Sequence, residues 1–208
     1  MVIGLTGMYC AGKNFVGSLL EKRGFPVLDV DKLGYIAIEN QKTAIFARFG
    51  ESIKNSDGTV NRRLLGEKVF GKEKELEALE AIVHPEANRL TLEWLDGQNG
   101  KDCVINAALL HKSVVFRELN GIILVNAPLL VRLIRAKKRD RLPWPVIFRR
   151  FFSQRQFFAQ YSAGNADIYR VENSRFGELR SRTGLEGQID EILLILGMEN
   201  RNISEGGL

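Results

Sequence analysis

The sequence predicts an α/β fold with a doubly wound parallel sheet. Five short apolar or β-branched runs recur along the chain, at Val2–Thr6, Phe25–Val30, Cys103–Ala107, Ile122–Val125 and Ile168–Val171. Most are near-continuously apolar rather than alternating, as strands covered on both faces are. Helical stretches separate them, and strands that alternate with helices join most simply as parallel crossover units. With 208 residues, 45% of them hydrophobic, one domain with insertions has enough chain to build a core.

The first strand, Val2-Ile3-Gly4-Leu5-Thr6, runs into Gly7-Met8-Tyr9-Cys10-Ala11-Gly12-Lys13-Asn14. Phe15, Val16, Leu19 and Leu20 then follow at helical spacing. Strand, glycine-bounded loop, Gly-Lys and helix is the layout of a phosphate-binding P-loop. Glycines let the backbone curl so that several N–H groups face one anion. The new helix adds its own unpaired N–H groups and the positive end of its dipole. Lys13 supplies a mobile positive charge for the outer phosphates. Asn14 stands where a Ser or Thr usually offers Mg²⁺ a hydroxyl. Gly7, Cys10, Ala11, Gly12, Lys13, Asn14 and Phe15 are therefore candidate nucleotide-binding residues. An ordinary strand-to-helix turn is the plainer reading, and it leaves Lys13 without a purpose. The helix N-terminus could also depress the thiol pKa of Cys10, although a small loop residue is the simpler account.

The second strand carries Asp29 and Asp31, which are expected to alternate on it and project to the same side. Ligands on doubly wound sheets bind at the carboxyl ends of the strands. A carboxylate there can accept a proton from a substrate hydroxyl or help to hold Mg²⁺; the alternative is a pair of solvated turn aspartates. Residues 32–95 are mainly helical, with a turn at Asn55-Ser56-Asp57-Gly58, and read as an insertion that could cover the site. The third and fourth strands end at Asn106 and at Asn126-Ala127-Pro128.

A strongly basic segment follows. Arg132, Arg135, Lys137, Lys138, Arg139, Arg141, Arg149, Arg150 and Arg155 stand against one acid, Asp140, with a break at Leu142-Pro143-Trp144-Pro145. Arg135 and Arg139, four apart, share a helix face and could clamp a phosphoryl group. Trp144, Phe148, Phe151 and Phe152 interleave with the basic residues. This segment can be a lid over ATP, a solvated face or a nucleic-acid patch. The aromatics are expected to pack the helix down. Gly184–Leu196 reads as a closing helix, and residues 1–197 as a single domain with a frayed tail at 198–208.

Composition narrows the function classes. No apolar run reaches membrane-spanning length, and the first residues form a strand rather than a signal peptide. Cys10 and Cys103 are too few for a disulfide framework or a zinc site, so a reducing cytoplasm is expected. His84 and His111 lack metal-ligand partners at useful spacing. The formal charge of +5 suits an anionic ligand. Oligomeric state is left open.

Taken together, these residues resemble the dephospho-CoA kinase family along nearly the whole chain. Gly4-Leu5-Thr6-Gly7 with Gly12-Lys13 looks like its first motif, and Val27-Leu28-Asp29-Val30-Asp31 is similar to its second. Asp57–Leu64, Val69-Phe70 and Leu79–Pro85 resemble its substrate-side helices. Arg135, Arg139-Asp140 and Gln154 keep the spacing of its lid, and Ala166-Asp167-Ile168 through Asn173 resembles its last strand, near the adenine. The resemblance implies a parallel five-stranded P-loop kinase core with a helical substrate-binding insertion (32–95) and a basic lid (132–157). It implies transfer of the ATP γ-phosphate to the 3′-hydroxyl of dephospho-CoA, with Mg²⁺. Lys13, Asp31 and Arg139 would be catalytic, Asp31 as the base. Arg135, Arg139 and Asn173 would join the loop in binding ATP. Asp31, Arg63 and His84 would meet the substrate, and Asn14 and Asp29 the metal. Membrane and nucleic-acid partners are not implied.

Two departures stand out. Asn14 replaces the metal-binding hydroxyl. The family's Asp-x-Pro-Leu-Leu-x-Glu segment is Asn106-Ala107-Ala108-Leu109-Leu110-His111-Lys112 here, without its proline or either carboxylate. They leave open a catalytically weakened kinase fold with a binding or regulatory role. The basic run leaves open a nucleic-acid-binding ATPase.

Overall fold

The computed structural model describes residues 1–154, 157, 161, 166–173 and 184–198. Arg155 and residues 199–208 of the expected tail lie outside them. In chain order the elements are β1 (Val2–Gly7), α1 (Lys13–Lys22), β2 (Val27–Asp29), α2 (Val30–Asn40), α3 (Lys42–Phe49), α4 (Arg62–Val69), α5 (Glu73–Asp96), β3 (Cys103–Asn106), β4 (Gly121–Asn126), α6 (Leu129–Asp140), α7 (Trp144–Phe152), β5 (Asp167–Glu172) and α8 (Leu185–Ile195). The backbone divides into two compact units, residues 1–28 with 100–208, and residues 29–99.

The sheet is five-stranded and parallel, in the order β2-β3-β1-β4-β5. β1 lies between β3 and β4, with Leu5 opposite Asn106 on one side and Ile123 on the other. The chain leaves β1 for β2 on one side, and the crossover from β3 passes β1 to reach β4 on the other, so the carboxyl end of β1 lies at a topological switch point, where such sheets take their ligands. Ile3, Leu5, Val104, Ile123 and Val125 are fully buried, which explains why these strands read as unbroken apolar runs. Val16, Leu19 and Leu20 of α1 and Ile189 and Leu193 of α8 join the same cluster. Met198 is buried there too, so the core reaches one residue into the segment expected to be tail. Arg23, just past α1, donates from Nε to Asp190 Oδ1 (2.6 Å) and from Nη1 to Leu19 O (3.0 Å). Its charge is thus paired where α8 closes over α1.

One expectation is overturned. Asp29 and Asp31 do not alternate on a strand, because β2 stops at Asp29 and α2 begins at Val30. The reason is local. Asp29 is the N-cap, and its side chain accepts from Lys32 N at 3.3 Å. Asp31 then falls in the first helical turn, where a carboxylate complements the helix dipole.

In the second unit, α2 to α5 enclose Ala37, Ile45, Phe49, Ile53, Val60, Leu65, Val69 and Val83. The turn read at Asn55–Gly58 is present, with Gly58 N donating to Asn55 O (3.0 Å) and Thr59 N to Asp57 Oδ1 (3.0 Å). It delivers Asn61 as the N-cap of α4, its Oδ1 accepting from Leu64 N at 3.1 Å. Glu86, buried on α5, accepts from Asn40 Nδ2 (2.6 Å) and Arg89 Nε (2.8 Å).

Candidate active site

The loop after β1 is built by close approach. A Cβ on Gly7 would stand 2.8 Å from Val125 O, so only glycine lets β1 turn out beside β4. Met8 N donates to that same carbonyl (3.2 Å), and Ala11 N closes back on Met8 O (2.9 Å). Gly12 has φ of 97°, and a side chain on it would collide with Asn173 Nδ2. α1 starts directly after it with no side-chain N-cap and no acid in its first turn. Its N-terminal N–H groups and dipole are therefore arranged for an anion from outside the helix.

Helix α6 holds this loop in shape. Arg135 donates from Nη1 to Ala11 O (3.1 Å) and from Nη2 to Asn173 O (3.1 Å). Asn173 Nδ2 donates to Ala11 O as well (2.8 Å). A peptide unit is planar and trans, so fixing the Ala11 carbonyl also fixes the opposed Gly12 N–H. The Arg139 guanidinium lies 5.3 Å from the centroid of the Tyr9 ring, and that of Arg150 lies 5.7 Å from it. Tyr9 Oη donates to Asp140, Arg139 Nε donates to Asp140 Oδ1 (2.7 Å), and Arg150 Nη1 donates to Asp140 Oδ2 (3.0 Å). Tyr9 N donates to Gln154 Oε1 at 2.7 Å. A loop tyrosine thereby engages α6, α7 and the residue just beyond them.

The bond from Arg139 holds the Asp140 carboxyl below the usual carboxylate range, against the opposing effect of burial. A depressed carboxylate stabilises this arrangement above its unfolded pKa and loses that contribution as pH falls through the lowered value. Tyr9→Phe keeps the ring between the two guanidiniums and removes only the hydroxyl. It is expected to lower turnover roughly 10- to 150-fold, the range for one hydrogen bond to a charged group, with ATP affinity changed less. An unchanged turnover would show that the Tyr9–Asp140 bond does not position Arg139.

Several basic residues are spent inside the unit. Arg132 is 7% exposed, donates from Nε to Ala127 O (2.9 Å) and stacks over Phe151. Burial pulls its pKa down. Lys137 Nζ reaches Leu142 O (2.9 Å). The expectation that the aromatics pack down holds only for Phe151, which meets Tyr9 edge-on. Trp144, Phe148 and Phe152 are 45%, 45% and 57% exposed, because the inward face of the short α7 is taken by Ile147 and Phe151. Cys10 fits the simpler account, a small loop residue, rather than an activated thiol. Burial pushes its thiol pKa up, outweighing the nearby arginines. Cys10 does hold a left-handed turn, at φ of 59°.

Asn14 and Asn106 meet beside the loop, with Asn106 Nδ2 donating to Asn14 Oδ1 at 3.2 Å. Asn106 is 3% exposed, and its Oδ1 has no hydrogen-bond partner among the described residues. Nearby, Tyr161 Oη lies 3.3 Å from Thr6 Oγ1 and 3.4 Å from His111 Nδ1. Burial lowers the His111 pKa. Asp29, Asp31, Arg63 and His84 all belong to the helical unit. Asp31 and His84 are exposed on α2 and α5. Arg63, on α4, pairs with Glu67 and lines a cavity of about 690 Å³ with Tyr35, Asn55 and Asn61. The structure thus gathers the loop with Arg135, Arg139 and Asn173 in the sheet unit. Sequence reasoning missed Tyr9 and the Asn14–Asn106 contact. A bulky aromatic among small loop residues was the available signal for the first; nothing in the spacing marked the second.

The dephospho-CoA kinase sequence model matches residues 1–168 of this chain. The chain belongs to the dephospho-CoA kinase family. It is 34% identical to a dephospho-CoA kinase of Treponema pallidum over 182 residues, covering 83% of this chain and 86% of that one. Among solved structures it is similar to TT1252 from Thermus thermophilus, with a TM-score of 0.75 at 30% identity, covering 94% of this chain and 97% of that one. Dephospho-CoA kinase from Campylobacter jejuni shares the fold, with a TM-score of 0.60 at 20% identity over 93% of this chain and 95% of that one. The family's P-loop kinase architecture is the one that the strand order describes.

Proposed function

We propose that the loop from Gly7 to Phe15 binds ATP and that Lys13, Asp31 and Arg139 carry the phosphoryl transfer. The reaction is the ATP-dependent phosphorylation of dephospho-CoA to coenzyme A. In this reading the acceptor is the ribose 3′-hydroxyl. Lys13 and the loop N–H groups hold the β- and γ-phosphates. Asp31 accepts the hydroxyl proton, Arg63 and His84 bind the rest of dephospho-CoA, and Arg139 neutralises charge on the transferring group. Positioning and electrostatics do most of the work in such transfers. The carrying observation is the fastening of Ala11 O by Arg135 and Asn173, which pre-shapes an anion cradle at the switch point.

Magnesium brought with ATP offsets phosphate charge. Asn14 and Asn106 offer it hard oxygens, the right kind of donor, but neutral ones. Asp29 offers a carboxylate that already caps α2. With only neutral oxygens at positions 14 and 106, turnover falls when magnesium is limiting. Among the described residues no helix is long and apolar enough to cross a membrane. Cys10 and Cys103 are free. Both observations support our placing the protein in the cytoplasm.

The inward bonds of Arg132, Arg135 and Lys137 favour a lid over a nucleic-acid patch. Arg139→Ala is expected to lower turnover roughly 10²- to 10³-fold, as loss of one transition-state donor does. The KM for dephospho-CoA should change far less. A variant altered only in KM, or only in binding a generic oligonucleotide, would overturn the role given to Arg139.

A further inference from the structure

The side chain of Asn106 is used on one side only. This residue ends β3, opposite Leu5 of β1, so it sits at the carboxyl edge beside the start of the loop. Its Nδ2 donates to Asn14 Oδ1, while its Oδ1 is buried without a partner among the described residues. Buried acceptors are rarely left so in folded proteins, because desolvation without a replacement bond is unfavourable. Among the described residues there is also no group of three or more His, Cys, Asp or Glu side chains that could hold a metal ion.

Resting on the ATP reading above, we infer that Asn14 and Asn106 form a neutral amide clamp for a divalent cation that arrives with the nucleotide, and that Asn106, not Asn14, sets the affinity. The oxygen of Asn14 already accepts a hydrogen bond from Asn106. The oxygen of Asn106 is unspent and shielded from bulk water. Mg²⁺ loses its water reluctantly and keeps several in protein sites. Asn106 Oδ1 therefore accepts from a water of the cation's shell. A neutral pair adds no net Coulomb attraction, so the phosphates must bring the charge. Asn14 and Asn106 also depend on one another, since an aspartate at 106 could not donate to Asn14 Oδ1, and Asn14 would have to turn its amide to offer Nδ2 instead. Threonine at 14 would restore a donor to that aspartate.

Mn²⁺ affinity of the protein–ADP complex tests this, read from loss of the free-ion electron paramagnetic resonance signal with ADP alone as reference. Asn106→Asp should raise the affinity roughly 10- to 100-fold, the span usual for outer-shell partners of a metal. Asn14→Thr alone should change it less than roughly threefold, because it leaves the Asn106 oxygen in place. The double variant Asn14→Thr/Asn106→Asp should reproduce the gain, and it keeps a hydrogen bond if the single aspartate folds poorly. Without nucleotide, Mn²⁺ should raise the melting temperature of the aspartate variants and leave the wild type unchanged. Wild-type affinity in both aspartate variants, or the full gain from Asn14→Thr alone, would overturn the clamp. No ADP binding by the wild type would overturn the nucleotide reading itself, a separate result from ADP binding with unaltered cation affinity.

Discussion

Lys13→Ala is expected to reduce ATP-dependent turnover by at least roughly 10²- to 10³-fold, with the fold intact. The size follows from where the charge sits. Lys13 is the first residue of α1, directly after Gly12, at the end of the loop that Arg135 and Asn173 fasten. In phosphoryl transfer the protein contributes mainly position and charge, so loss of the loop cation removes much of its contribution. The fold should survive because Lys13 lies outside the apolar cluster of β1, α1 and α8, and alanine is a good helix former. Steady-state rates with dephospho-CoA, beside a thermal melt, check both halves. Near-normal turnover in a folded variant would contradict the loop's assignment.

Asp31→Asn is expected to lower turnover by roughly 10²- to 10⁴-fold, the range for a positioned general base, with ATP affinity within a few-fold. The neighbouring Asp29→Asn supplies the contrast. Asp29 caps α2 through its side-chain oxygen, and asparagine caps a helix about as well as aspartate. Its replacement should therefore cost little stability and much less activity. A reversed order of the two effects would reassign the base to Asp29.

The sheet was legible because its strands are buried on both faces. Val2–Thr6 and Ile122–Val125 needed only apolar continuity to be recognised, and both lie within strands of the structure. The loop was legible from spacing, since few residue types permit its turns. The end of β2 was not. Val27-Leu28-Asp29-Val30-Asp31 reads as alternating on a strand, whereas Asp29 caps a helix that begins at Val30. The aromatics of α7 misled for a different reason. Their spacing specifies a helix, but one short helix has too little inward face for Ile147, Phe151 and three more aromatics. Contacts between distant segments had no local signature at all. Tyr9 with Asp140 and Asn14 with Asn106 pair across 131 and 92 positions, and such pairs follow from the order of strands in the sheet.

The most direct measurement combines the purified chain with ATP, Mg²⁺ and dephospho-CoA, following ADP release and the phosphorus NMR spectrum of the product. The expected result is ADP formed in step with coenzyme A, with a new phosphomonoester resonance assigned to the ribose 3′-oxygen. ADP released no faster with dephospho-CoA than without it, or phosphate found on a different acceptor atom, would contradict the assignment.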